Sequence, residues 1–136
     1  MIGHYLMFNR NCAEALEVYA QVFGVPVLEK QCYGDMPSNP DFPVAEQDRG
    51  LVLHSRLVID GSEIMCADST GRHQPGSNMY VTVTTADADL VAKAWESLEV
   101  DGEVYMALAP TFFSPAHGSL RDRFGVNWMF TVLPRP

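Results

Sequence analysis

The side chains best suited to chemistry in this chain are a few histidines and an arginine set within apolar segments. His54 lies among hydrophobic residues, where its ring nitrogens need partners, so it is either a donor in a pocket or a satisfied core histidine. Arg56 follows two residues later and can hold an anionic ligand, although pairing with an acidic neighbour at a sheet rim is favoured. His4 can act as an acid, a base or a metal ligand, while a lone histidine is more often packed or hydrogen-bonded. His117 lies beside Gly118 in what reads as a loop.

Composition excludes several other classes of protein. The three cysteines, Cys12, Cys32 and Cys66, are an odd number without close spacing, which argues against a disulfide framework and a thiolate metal site. The net charge of -8 opposes binding to nucleic acid and to anionic membrane surfaces. No apolar run approaches the roughly 20 residues of a membrane helix, and the first residues do not resemble a secretory signal. We therefore expect a cytoplasmic protein with no nucleic-acid or membrane partner.

Known catalytic motifs are missing from the sequence. It contains no glycine-rich phosphate loop, no Gly-x-Ser-x-Gly elbow and no cysteine paired with a patterned histidine. The sequence therefore identifies no catalytic residue.

The elements that must position these side chains follow one order, used twice. A strand at residues 2–9 precedes a helix that Asn11 can cap, with Glu14 reaching back and Gly24 ending it. Strands are then predicted at residues 25–33, 51–60 and 62–68, with Asp60-Gly61 as a hairpin turn. The second set comprises a strand at 79–84, a helix starting near Asp87, and strands at 103–109, at 111–114 leading toward Gly118, and at the end of the chain.

This order predicts an α+β fold of two βαβββ modules, at about residues 1–70 and 78–134, within a single domain spanning 1–136. Two such modules can form a curved half-barrel sheet, with helices on the convex face and a cup on the concave face. Strand alternation divides the side chains between core and cup. The predicted cup side comprises Asn127, Met129, Thr131 and Leu133 in the last strand, Tyr80, Thr82 and Thr84 in the fifth, and His54 and Arg56 in the third.

Several segments together resemble the vicinal oxygen chelate superfamily of glyoxalase I, bleomycin-resistance proteins and extradiol dioxygenases, and its PhnB-like branch in particular. They are YLMFN at 5–9, AEALEVYAQVFG at 13–24, HSRLVIDG at 54–61, IMCAD at 64–68 and GSLRDRFGVNWM at 118–129. The resemblance covers nearly the whole chain. The first-helix motif and the FGVNW turn are specific in combination.

The resemblance implies a cup that holds a divalent metal at four positions, which fall on His4, Met65 or Ala67, Tyr80 and Met129. Only His4 is an ordinary ligand, since a thioether is a poor donor to magnesium, manganese or zinc. We therefore expect a degenerate metal site, no metal cofactor, and a cup softened by aromatic and methionine side chains. The predicted ligand-binding residues are His4, His54, Arg56, Met65, Tyr80 and Met129.

Three functional hypotheses follow. The first is a homodimer that binds a small, partly apolar molecule, with dimerisation implied by the resemblance. The second is a divalent-metal-dependent lyase, isomerase or dioxygenase that uses His4 with donors such as His54 or Asp68. The third is an interaction module whose cup is filled. Relatives in this branch also carry the description ubiquinone methyltransferase, but no glycine-rich nucleotide loop follows the first strand here.

Overall fold

The computed structural model describes residues 2–71 and 73–136, and the chain divides into two compact units, the second beginning at Gln74. The first unit contains strand β1 (His4–Phe8), helix α1 (Cys12–Phe23) and strands β2 (Leu28–Cys32), β3 (Val52–Ile59) and β4 (Ser62–Asp68). Short 3-10 helices occupy Tyr33–Asp35 and Glu46–Asp48 in its long loop. The second unit contains β5 (Val81–Thr85), α2 (Ala88–Leu98), β6 (Glu103–Ala109), β7 (His117–Arg121) and β8 (Asn127–Val132).

The two sheets have the same topology. The first has the strand order β1-β4-β3-β2 and the second β5-β8-β7-β6. In each, the strand before the helix runs parallel to the last strand, and the other pairs are antiparallel. The predicted α+β fold with a repeated βαβββ module is confirmed.

In the first unit, α1 buries one face against β3 and β4. Its buried residues include Leu16 and Tyr19, and the facing sheet residues include Leu57 and Cys66. Gly24 ends the helix in the left-handed conformation at φ 64°, as its position after the apolar stripe predicts. The N-terminal prediction is wrong in detail, because the Asn11 side chain makes no capping hydrogen bond.

In the second unit, α2 packs against β8 and β5. Asp87 caps the helix as predicted, its side chain accepting a hydrogen bond from the Leu90 N–H at 3.0 Å. Trp95 meets the ring of Phe130 edge-on, with ring centroids 6.1 Å apart. Phe130 and Trp128 are buried while Met129 between them is half-buried, so the predicted alternation of β8 is confirmed.

Turn chemistry explains where strand predictions succeeded and failed. Asp60 and Gly61 have φ of 50° and 77°, the left-handed pair that a two-residue hairpin turn needs. The strand predicted at 111–114 is wrong, because the Thr111 N–H closes a turn onto the Ser114 carbonyl and β7 begins only at His117. Neither helix among the described residues is long and apolar enough to cross a membrane.

Candidate functional site

Each sheet has one face turned away from its helix, and these two faces hold most of the predicted site residues. On the first sheet, the face opposite α1 carries Tyr5, Met7, His54, Arg56 and Met65, and we call it the first open face. Met65 pairs with Tyr5 on one side and Arg56 on the other, so the three side chains form a row. The rings of Tyr5 and His54 approach within 6.2 Å of each other. The structure therefore brings His54, Arg56 and Met65 together on one face.

His4 lies apart from this row. It pairs with Ile64, which faces α1, and it shares the parity of Phe8, whose ring lies 6.3 Å from Tyr19 of α1. The resemblance implied a cup shared by His4 and Met65 or Ala67, but the strand pairing puts His4 on the helix side and Tyr5 beside Met65. Burial and the nearby Tyr33 hydroxyl raise the pKa of Tyr5. The sequence signal for Tyr5 was the alternation of Leu6 and Phe8, both apolar, on the helix side.

Arg56 is engaged by an acidic neighbour. Its Nε lies 3.0 Å from Glu29 Oε2 and its Nη2 donates to Glu29 Oε1 at 3.0 Å, a bidentate pair, while Glu63 lies 3.8 Å away. Glu29 sits in a bulge of β2 with φ 51°. The hydrogen bond and positive charge of Arg56 lower the pKa of Glu29. The rim pairing that the sequence favoured for Arg56 is what the structure shows.

On the second sheet, the face opposite α2 carries Tyr80, Tyr105, Arg121, Asn127 and Met129, and we call it the second open face. Met129 pairs with Thr82 on β5 and Ser119 on β7, so it lies in the middle of this face. The half-buried Tyr80 meets Tyr105 edge-on, with ring centroids 6.1 Å apart. Tyr80 and Met129 therefore share one surface, as the alternation predicted.

A chain of hydrogen bonds fixes the polar side chains of the second open face. Arg121 Nε donates to the Tyr105 hydroxyl at 2.9 Å, and that hydroxyl donates to Asn127 Oδ1 at 3.0 Å. The amide of Asn127 donates to the carbonyls of Gly76 and Met79 at 2.8 and 2.9 Å. Because a guanidinium only donates, the direction of every bond in this chain is set. Sequence reasoning missed Tyr105 and Arg121, although it placed Asn127 on the lining side.

His117 is a strand residue and not the predicted loop histidine. It begins β7, and its Nδ1 lies 2.9 Å from Thr131 Oγ1 on β8. Its ring meets Phe113 edge-on at 4.9 Å between centroids. His117 is therefore held by a hydroxyl and an aromatic ring at one end of the second sheet.

Two buried aspartates are occupied by structural hydrogen bonds. The Asp68 carboxylate accepts from the N–H groups of Cys12 and Val52, both at 2.9 Å, and thereby joins the start of α1 to the start of β3. The Asp122 carboxylate accepts from the N–H groups of Phe124 and Val126 and from the Trp128 indole at 2.9 Å. A carboxylate that satisfies buried backbone donors is costly to divert to another partner.

The residues present do not fit a divalent cation. Among the described residues no three His, Cys, Asp or Glu side chains gather as a metal would need. Asp68 pairs with Phe8 and so lies on the helix side of the first sheet with His4, whereas His54 lies on the opposite face. Of the positions that the resemblance assigned to ligands, His4 lies on the helix side and the others hold a tyrosine, thioethers or alanine, so we derive no step through a metal.

A cleft of about 680 Å³ in the second unit shares no lining residue with the second open face. It is formed by the start of α2, the loop around Phe112 and Phe113, and the segment after β8. The carboxylate of Asp87 already occupies the helix start by accepting from Leu90 N–H. This cleft gathers no cluster of groups for catalysis, so the open faces remain the candidate site.

The fold and these faces define a protein of the vicinal oxygen chelate class. The chain belongs to the family described as 3-demethylubiquinone-9 3-methyltransferase, whose model matches residues 1–131, and within that class to the PhnB-like branch. This confirms the resemblance drawn from the sequence motifs.

Individual relatives agree over nearly full length. The chain is 28% identical to Protein YjdN of Escherichia coli K12, over 97% of this chain and 95% of that protein. The crystal structure of PA1353 from Pseudomonas aeruginosa has a TM-score of 0.86 at 28% identity, covering 98% and 97% of the two chains. The PhnB protein from Bacillus cereus has a TM-score of 0.79 at 28% identity, covering 96% and 98%.

A more distant structure shows the fold alone. The fosfomycin resistance protein FosX of Listeria monocytogenes, solved with Mn(II), has a TM-score of 0.61 at 10% identity, covering 98% of this chain and 93% of that chain. The shared fold therefore extends to a manganese protein. In this chain the described residues gather no three His, Cys, Asp or Glu side chains that could hold a metal ion.

The family description names a methyl transfer, and the structure offers a test of the corresponding cofactor. A loop that cradles a nucleotide needs glycines after the first strand so that the backbone can approach the ligand. Here the turn after β1 consists of Asn9, Arg10 and Asn11, and Arg10 itself takes φ 68° while bonding Asp48 at 2.7 Å. These residues do not fit S-adenosylmethionine in that manner, and we derive no methyl-transfer step.

Proposed function

We propose that this chain is a small-molecule-binding protein whose partly apolar ligand lies on the open faces of its sheets. The observation that carries the proposal is the second open face, where half-buried Tyr80 and Met129 adjoin a fixed chain of polar groups. Apolar surface with a few oriented polar groups is the usual composition of a ligand site. The first open face repeats the pattern with Tyr5, Met65 and His54.

Homodimerisation is part of the proposal and is supported by an exposed edge. Strand β6 pairs with β7 on one side only, and its Val104 and Met106 are 43% and 53% exposed. An apolar edge strand is a ready template for pairing with another chain. Sedimentation velocity at micromolar concentration should give a dimer, and Met106→Lys should shift it to monomer. A monomeric wild-type chain would remove this part of the proposal.

The three cysteines support a reducing compartment. Cys12, Cys32 and Cys66 are all free thiols, and two of them are buried. Free thiols in a secreted chain are prone to oxidation, whereas the cytoplasm keeps them reduced. We accordingly propose a cytoplasmic location.

Ligand binding is tested with 2-phenylethanol, a neutral probe with one apolar ring and one hydroxyl. Titration of isotope-labelled protein should shift the NMR resonances of Tyr80, Tyr105 and the Met129 methyl, and should raise the melting temperature. Met129→Lys should weaken binding about tenfold by placing a charge on the apolar surface. Val100→Lys is the matched control, because Val100 is 53% exposed in the turn after α2 and belongs neither to the second open face nor to strand β6. Shifts confined to other residues, or binding that needs a stoichiometric divalent metal, would contradict the proposal.

A further inference from the structure

Arg121 is the polar group of the second open face whose hydrogen-bonding capacity the fold leaves partly unused. Its Nε donates to Tyr105, but Nη2 lies 3.9 Å from Glu103 Oε2, which is beyond hydrogen-bond distance. Glu103 is 65% exposed at its side chain, so this contact is screened by water. The described residues place no carboxylate within hydrogen-bond distance of the two terminal nitrogens. The two terminal nitrogens therefore keep hydrogen-bonding capacity that the described carboxylates do not use.

Arg56 occupies the equivalent position in the first module, and its guanidinium is hydrogen-bonded to a protein carboxylate. Both residues lie on the third strand of a module and pair with the last strand, Arg56 with Met65 and Arg121 with Asn127. Glu29 takes two nitrogens of Arg56 at 3.0 Å, so a protein carboxylate already fills that fork. Among residues 2–71 and 73–136 the nearest carboxylate to Arg121 is that of Glu103 at 3.9 Å, so a ligand carboxylate can supply the close bidentate partner that Glu29 gives to Arg56.

The surroundings of Arg121 favour an anion attached to an apolar body. Tyr105 accepts from Nε and is itself held by Asn127, so the guanidinium is oriented before any ligand arrives. The ring of Tyr80 lies against Tyr105. Met129 lies two residues after Asn127 on β8, on the same face of the sheet. Positive charge and apolar surface thus lie side by side on one face.

We propose that Arg121 binds the carboxylate of the ligand, whose apolar part lies against Tyr80 and Met129. The ligand class is then an aromatic or alkyl carboxylic acid. This inference rests on the proposed function, since it assigns the charge of a ligand on the same face. Arg121 is a binding residue in this scheme, and Tyr105 positions it.

The test compares two probes that share a benzyl group and differ in charge, phenylacetate and 2-phenylethanol. Wild-type protein should bind phenylacetate about tenfold more tightly, because a charge-assisted hydrogen bond adds to the shared ring contacts. The Arg121 Nε–Hε resonance should shift only with phenylacetate. Arg121→Gln should reduce the ratio of the two affinities from about ten to about one, because the charged group that distinguishes the probes is gone. Arg56→Gln, the matched control in the first module, should keep the wild-type preference.

The outcomes separate the inference from the proposed function. If wild-type protein binds both probes equally on the second open face, the carboxylate assignment is overturned and the binding function stands. If neither probe binds, both are overturned. Arg121→Lys guards against a misfolded glutamine variant: lysine keeps the charge but not the planar fork, so the preference should fall to a few-fold. An unchanged preference in Arg121→Lys or Arg121→Gln would overturn recognition by the guanidinium.

Discussion

The two open faces share a scaffold but differ in how their arginines are satisfied. In the first module the edge strand β2 bulges at Glu29, whose φ of 51° places a carboxylate on Arg56. In the second module the edge strand β6 supplies a tyrosine hydroxyl to Arg121 and only a distant carboxylate from Glu103. The edge strand of each module therefore determines whether the arginine on the third strand pairs with a protein carboxylate or can bind a ligand. The same topology can therefore carry one arginine that is already paired with a protein carboxylate and one that can bind a ligand carboxylate.

The modules also use their buried aspartates differently. Asp68 joins two elements distant in sequence, accepting from Cys12 on α1 and Val52 on β3. Asp122 accepts from Phe124, Val126 and Trp128, all within six residues of itself. The buried aspartate of the first module therefore makes long-range hydrogen bonds, and that of the second module stabilises a local turn.

The largest expected effect concerns the thiols, all of which lie in the first unit. Burial raises the pKa of Cys66 to about 12, and burial with the nearby Cys66 and Asp68 raises that of Cys12. At pH 8 the thiolate fraction of Cys66 is thus roughly a thousandfold below that of an unfolded cysteine, and alkylation should slow accordingly. Iodoacetamide labelling read by mass spectrometry should modify half-buried Cys32 first. Because a raised pKa favours the folded state only at low pH, this contribution should fade as pH rises above about 8.5.

Equal labelling rates for the three native cysteines would show that the first unit opens readily. That result would contradict the protection expected of buried Cys12 and Cys66. Denatured protein, in which all three should react alike, is the control.

The next largest effect tests the two aspartates. Asp122→Ala should lower the free energy of unfolding by about 3–5 kcal/mol, because three buried donors lose their acceptor. Asp68→Ala, with two donors, should cost about 2–4 kcal/mol. Both tryptophans, Trp95 and Trp128, lie in the second unit, so urea unfolding followed by fluorescence reports that unit.

The units can therefore be resolved in one pair of variants. Asp122→Ala should shift the fluorescence transition most, while Asp68→Ala should act mainly on thiol exposure. Glu96→Ala, an exposed acid on α2, should change stability by less than about 0.5 kcal/mol. If fluorescence and thiol exposure shift equally in both variants, the two units unfold as one. The proposed difference between the roles of Asp68 and Asp122 would then be contradicted.

Periodicity made the fold predictable. The alternation of Trp128 and Phe130 with Met129 predicted the core and open sides of β8, because side chains in a strand alternate between faces. The Asp60-Gly61 turn and the Gly24 helix end were predicted for similarly local reasons. The repeat of strand, helix and three strands then left few alternatives for topology.

The site was less predictable because it depends on register and long-range contacts. The resemblance assigned His4 to the cup, but strand alternation puts His4 on the helix side with Ile64 and puts Tyr5 beside Met65. Asn11 was expected to cap α1, but its side chain makes no capping hydrogen bond. The N–H of Cys12, the first helical residue, donates instead to Asp68, which is 56 residues away. The pairing of Tyr105 with Arg121 crosses a bulged strand pair, so no local spacing marks it.

A smaller effect compares two tyrosine hydroxyls, one in each unit. Tyr105→Phe should destabilise the second unit by about 1–2 kcal/mol, since buried Asn127 Oδ1 loses its donor and Arg121 Nε its acceptor. Tyr33→Phe removes a single hydrogen bond to the Asp68 carbonyl and should cost about 0.5–1 kcal/mol. Urea unfolding by circular dichroism and fluorescence measures both. A Tyr33→Phe cost equal to or above that of Tyr105→Phe would contradict a network centred on Tyr105.

The smallest effect is electrostatic and concerns the sealed arginine. Arg56 lowers the pKa of Glu29, so Arg56→Gln should return that pKa toward its ordinary value, as followed by carbon-13 NMR of the Glu29 carboxyl. A lowered folded-state pKa stabilises the protein above the unfolded value, near 4.3, and the benefit is lost as pH falls through the folded value. The stability difference between wild type and Arg56→Gln should therefore shrink at acid pH. Arg121→Gln should leave the Glu29 titration unchanged, because Arg121 belongs to the other unit. If Arg56→Gln also leaves the Glu29 titration unchanged, the Arg56–Glu29 pair is not formed in solution. Arg56 would then be as free as Arg121 to bind a ligand carboxylate.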